Sequence, residues 1–101
     1  PDDTAITRIS RTVDAERVVD EMVMTFTHDR VIDAFLPGVP PTGRPVILAV
    51  VGVVECRDGK VDSEHLYWDQ ASLLVQVGLL DPTGLPVTGA EQARNLLTPT
   101  S

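Results

Sequence analysis

The sequence predicts an α+β fold in which an antiparallel sheet comes first and two short helices follow. Three observations carry that prediction. The first two thirds hold strand-type runs, Thr4 to Val13, Arg17 to His28 and Val46 to Cys56, all rich in β-branched residues. Arg57-Asp58-Gly59-Lys60 follows the third run, and Asp-Gly between two strand patterns marks a two-residue hairpin, because a type I′ turn needs positive φ at both central positions. After Trp68 the apolar period changes from that of a strand to that of a helix.

TAITRISRTV sets Ile6 among polar neighbours and reads as a strand with one exposed face; Asp14-Ala15-Glu16 then makes a turn. RVVDEMVMTFTH sorts Met22, Met24, Phe26 and His28 onto one face and Glu21, Val23, Thr25 and Thr27 onto the other. Residues 29–45 hold four prolines and two glycines and form a long structured loop, since proline removes backbone donors. VILAVVGVVEC is nearly all apolar, the pattern of a central strand covered on both faces. Gln70 to Val77 forms a short helix with Ala71, Leu74 and Val75 inward and Gly78 at its end. Thr88-Gly89-Ala90-Glu91 has capping-box spacing and opens a last helix with Ala93, Leu96 and Leu97 on one side.

With Asp58-Gly59 as a two-residue loop, the hairpin register follows. Cys56 is expected opposite Val61, Val54 opposite Ser63, Gly52 opposite His65, Val50 opposite Tyr67 and Leu48 opposite Asp69. On the reverse face Val51 meets Leu66 and Ala49 meets Trp68. In this register His65, Tyr67 and Asp69 share an apolar face, and Gly52 leaves room across from the imidazole. Three protonatable groups in an apolar concavity fit a small-molecule acid/base site. Leu66 and Trp68 then need cover on the other side, from a second sheet or a second subunit.

Composition bounds the function. The chain has 101 residues, 43% hydrophobic and 23% charged, as in one small globular domain. Asp and Glu outnumber Lys and Arg by 15 to 8, a net charge of -7, which disfavours nucleic acid and anionic membrane because phosphate binding needs clustered cations. The single cysteine, Cys56, excludes an internal disulfide and has no cationic neighbour on its face to activate it. Neither metal-ligand spacing nor a membrane-length apolar run occurs, so a cytoplasmic protein that uses no metal is expected. No GxSxG elbow supports a nucleophilic hydrolase.

Asp69 has two readings that do not exclude each other. As a helix N-cap it accepts from the amide of Ala71 or Ser72; as a catalytic group in an apolar pocket, where desolvation raises a carboxyl pKa, it passes a proton back and forth. His65 either shares the proton traffic or is a structural histidine, and Tyr67 either donates to a substrate carbonyl or packs with a satisfied hydroxyl. His28, at a strand end beside Asp29, lines the same cavity or is a solvated loop histidine, and Met24 and Phe26 form a malleable apolar wall or ordinary core packing. Trp68 reads as a packing or interface anchor.

The loop PGVPPTGRPV, the hairpin VVGVVECRDGKVDSEHLYWDQ and the run ASLLVQVGLLDP leading to PVTGAEQARNLL together resemble the SnoaL-like branch of the nuclear transport factor 2-like superfamily, across about residues 4–97. The resemblance implies a single domain over 1–101: a cone-shaped α+β barrel in which a curved antiparallel sheet wraps around a pocket. It implies cofactor-independent acid/base chemistry of cyclase, isomerase or hydrolase type on a small apolar carbonyl-bearing molecule. Asp69, in the Tyr-Trp-Asp position, is similar to the acid/base Asp of SnoaL-like cyclases, with His65 as partner and Tyr67, His28, Met24, Phe26, Val50 and Gly52 toward the substrate. It also implies a homodimer. Members begin with helices that cap the cone, whereas this chain opens on the strand ITRISRTV, so the domain is expected to be incomplete at its N-terminus. A binding and dimerisation module without catalysis is the alternative, because this superfold hosts many functions.

Overall fold

A computed structural model describes residues 1–98; the last three residues of the expected 1–101 domain lie outside it. Four strands, β1 (Ala5–Val13), β2 (Arg17–Thr27), β3 (Pro45–Arg57) and β4 (Lys60–Trp68), form one antiparallel sheet in sequence order. Two helices follow, α1 (Gln70–Gln76) and α2 (Gly89–Leu97). The Asp-Gly turn forms as expected, with φ of 54° at Asp58 and 74° at Gly59 and with Arg57 paired to Lys60. Gly78, at φ 82°, closes α1 as its position after the apolar run predicts.

The sheet has two faces. On the first, β2 and β3 pair Met22 with Val50, Met24 with Leu48 and Phe26 with Val46. The proline-rich loop folds back over this face, sending Leu36 into a cluster with Phe26, Val46, Leu48, Val50 and the α1 residues Leu73 and Val77. Among the described residues nine side chains are buried and apolar, and seven of them belong to this cluster, so the core sits here rather than between two sheets. On the second face, Arg94 of α2 lines a cleft with Thr25, Thr27, Pro45 and Ile47, which places α2 on that side, where Val23 is also buried.

Both helices pack differently from what their apolar spacing predicts. In α1 the buried residues are Ser72 and Leu73, with Val77 just beyond, whereas Ala71 is exposed and Leu74 and Val75 are half-buried. The helix is turned by Gln76, whose amide accepts from Ile47 N at 2.8 Å and donates to Ile47 O at 2.9 Å. β4 ends at Trp68, opposite Val50, so Gln76 supplies the ladder partner that β3 lacks at Ile47. In α2 the expected capping box is absent: Thr88 makes no side-chain cap bond and instead accepts from Gln92 Nε2 at 3.1 Å. Of its apolar side only Ala93 is buried; Leu96 and Leu97 are exposed.

The hairpin register is the larger correction. Cys56 pairs with Val61 as expected, but a bulge at Asp62 then shifts every later pair by one. Gly52 lies opposite Leu66, Val53 opposite His65, Val51 opposite Tyr67 and Val50 opposite Trp68. A one-residue slip exchanges the faces. It turns Leu66 and Trp68 onto the face of Leu48 and Val50 and leaves His65 and Tyr67 on the other. Burying Trp68 against Phe35, with ring centroids 4.5 Å apart, outweighs the single unpaired residue the bulge costs.

Candidate functional site

The strands divide the expected site residues between the two faces. Met24, Phe26, Val50 and Gly52 share the first face. The space over Gly52 is taken by side chains of that face: a Cβ built there would meet Met22 Cε at 3.1 Å and Leu66 Cδ2 at 3.3 Å. It does not open toward the imidazole of His65. Trp68 is oriented on this face by Gln70, which accepts from its indole Nε1 at 2.7 Å while donating to Phe35 O at 3.0 Å.

His28 follows directly on β2 and is 0% exposed. Its backbone is clamped by the end of the loop, with its amide donating to Arg44 O at 2.9 Å and its carbonyl accepting from Gly43 at 2.8 Å. Nδ1 lies 2.9 Å from Thr42 Oγ1 and accepts from Thr42 N at 3.3 Å, whereas Nε2 has no partner among the described residues. The ring is thus held as part of the loop anchor rather than as a solvated loop histidine.

On the second face, His65 and Tyr67 stand edge to face with ring centroids 6.5 Å apart, beside Val51 and Val53. Tyr67 is 60% and Val51 37% exposed. Neither side chain of the His65–Tyr67 pair makes a hydrogen bond among the described residues.

Asp69 continues that alternation one residue beyond β4 and is the N-cap of α1. Its backbone is extended, φ -91° and ψ 100°, and its Oδ1 accepts from Ser72 N at 3.0 Å. That is the cap geometry the sequence allows. The Ser72 amide is one of the two cap donors the sequence offers; sequence reasoning missed its buried hydroxyl, whose Oγ accepts from Gln76 Nε2 at 2.9 Å, and Gly89, the first residue of α2, packed on both Ser72 and Asp69. The signal for Gly89 was a glycine inside a helix-start motif, which can mark a close approach as well as a cap.

Concavities open on the surface of the described residues. One of about 590 Å³ lies between the two hairpin turns and is lined by Asp14, Arg17, Glu55, Arg57, Asp58 and Asp62, away from every expected site residue. The cleft under α2 has about 320 Å³, and a shallow groove of about 300 Å³ runs over Leu66, Tyr67, Trp68 and Gln70. Of these three, the last touches an expected site residue of β4, Tyr67. Among the described residues no group of three His, Cys, Asp or Glu side chains could hold a metal ion, and no helix is long and apolar enough to cross a membrane.

No family model matches the chain, and no curated protein matches it. Solved structures do. TsrD from Streptomyces laurentii is 22% identical with a TM-score of 0.68, over 77% of this chain and 55% of that one. AclR, a candidate hydroxylase from Streptomyces galilaeus, is 29% identical with a TM-score of 0.65, over 79% and 57%. A candidate SnoaL-like polyketide cyclase from Jannaschia sp. CCS1 is 22% identical with a TM-score of 0.67, over 77% and 51%. The chain thus spans about half the length of the structures it matches.

Proposed function

We propose that this chain, whose fold is SnoaL-like and of the nuclear transport factor 2-like type, serves proton-transfer chemistry on a small apolar molecule bearing a carbonyl group. The reaction class is cyclisation, isomerisation or hydrolysis without a cofactor. One observation carries the reading. The Asp69 carboxylate is held by Oδ1 on the Ser72 amide, while Oδ2 makes no hydrogen bond among the described residues. A carboxylate fixed by one oxygen can take a proton on the other and return it without releasing the helix. His65 and Tyr67 alternate with Asp69 along the chain and are uncommitted, which suits them to orient a substrate or to stabilise charge developing on its oxygen.

A second reading has its own support. Neither Asp69 nor His65 lines any of the three concavities described above, and the cap bond alone accounts for an Asp at that position. The chain would then be a binding and dimerisation module, with its exposed sheet surface covered by an apolar ligand or a second copy.

Asp69→Asn separates the two, because Asn caps helices as well as Asp does but cannot accept the proton. Turnover of a ketone or lactone substrate should be lost in this variant, with the melting temperature nearly unchanged. Undiminished turnover would rule out Asp69 as the acid/base.

A further inference from the structure

We infer that Gly89 is a positioning residue for the Asp69 carboxylate: the first turn of α2 seats on the Asp69–Ser72 cap so closely that only a residue without a side chain fits. A Cβ built on Gly89 would stand 2.6 Å from Ser72 Cβ, 2.7 Å from Ser72 Oγ and 2.9 Å from Asp69 Oδ2. These are inside any tolerable contact. Conformation does not explain the glycine. Gly38, Gly43, Gly59, Gly78 and Gly84 all have positive φ, whereas Gly89 is an ordinary helical residue. Space is what demands it.

The crowded side cannot give way. Ser72 is 2% exposed, its amide is bound to Asp69 Oδ1, and its Oγ accepts from Gln76, which is itself tied through both amide atoms to Ile47 of β3. Asp69 is the exposed and movable partner, and it is the oxygen not used in the cap that faces Gly89. The carboxylate therefore stands at the start of α1 and against the start of α2, which has no side-chain cap of its own. Amides at both helix starts lack intrahelical acceptors, so an anion there is favoured by both. The role assigned to Gly89 rests on the proton-transfer reading of Asp69, but the packing beneath it does not.

Gly89→Ala tests the inference on the whole chain. Helix propensity alone favours Ala over Gly, so a purely local effect raises the melting temperature. The packing gives the opposite sign: a lower melting temperature, a shifted Asp69 carboxyl carbon signal in NMR, and a Ser72 amide that loses its hydrogen-bonded shift. Adding Ser72→Gly removes the two closest contacts and should restore the residue 72 amide signal, also if the single variant does not fold. An unchanged Asp69 carboxyl signal with a raised melting temperature would overturn the inference, as would a double variant that recovers nothing. Neither readout depends on activity, so failure here is distinct from retained turnover in Asp69→Asn.

Discussion

At the residue scale, Asp69 joins fold and chemistry. Its cap bond to Ser72 N is one neutral-to-charged hydrogen bond at a helix start, so Asp69→Ala should cost about 1 kcal/mol in urea unfolding and Asp69→Asn much less. The cap was legible because an Asp stands where strand period gives way to helix period. The burial of His28 was not, because it depends on Thr42, Gly43 and Arg44 returning to clamp it from fourteen to sixteen positions along the chain, which no local pattern encodes. Single charges also set the acid limit. The Arg11 guanidinium bonded to Asp20, the amides of Glu16 and Arg17 donating to Asp14, and Thr83 donating to Asp81 each hold a carboxyl below its ordinary value of 3.8. A lowered folded-state pKa contributes stability above the unfolded value that is lost as pH falls through the folded one. The urea midpoint should therefore be flat above about pH 5 and fall progressively below about pH 4, and Arg11→Ala should flatten part of that fall.

At the element scale, the β3–β4 hairpin shows what a correct turn does and does not determine. Asp58-Gly59 fixed the loop, yet one bulged residue, Asp62, decided which face every later side chain took. Local turn chemistry acts over four residues, whereas the choice between Trp68 inward and His65 inward is settled by Phe35 and the core cluster that the loop and α1 complete from outside the hairpin. Deleting Asp62 should restore the straight register, turn Leu66 and Trp68 off the core face and red-shift tryptophan emission, with a large loss of stability. Emission that stays put would mean the hairpin slips back into its native pairing by another route. The β3 edge gives a second test. Gln76→Ala leaves the Ile47 amide and carbonyl without the partner that β4 is too short to supply, and should cost about 1–3 kcal/mol in the same urea measurement. Gln76→Glu should be intermediate, because it keeps an acceptor for the amide but loses the donor to the carbonyl.

At the scale of the whole molecule, the sheet was legible as four antiparallel strands because β-branched runs, a proline-rich break and an Asp-Gly turn delimit it. The distribution of cover was not. The proline-rich loop and α1 close the first face, while α2 shields only the Val23 end of the second and leaves Val51 and Tyr67 open. That division sends the expected site residues to opposite sides, with Met24, Phe26, Val50 and Gly52 on one and His65 and Tyr67 on the other. A ligand that uses Asp69 with His65 and Tyr67 must approach the second face, and one held by the methionines and Trp68 must approach the first. The two approaches give different maps. The most direct measurement is the NMR shift map of the chain titrated with a panel of apolar ketones and lactones. The proton-transfer account predicts that Asp69, His65, Tyr67 and Val51 move together on binding. Perturbations confined to Met22, Met24 and Trp68, with Asp69 unmoved by every compound, would contradict it.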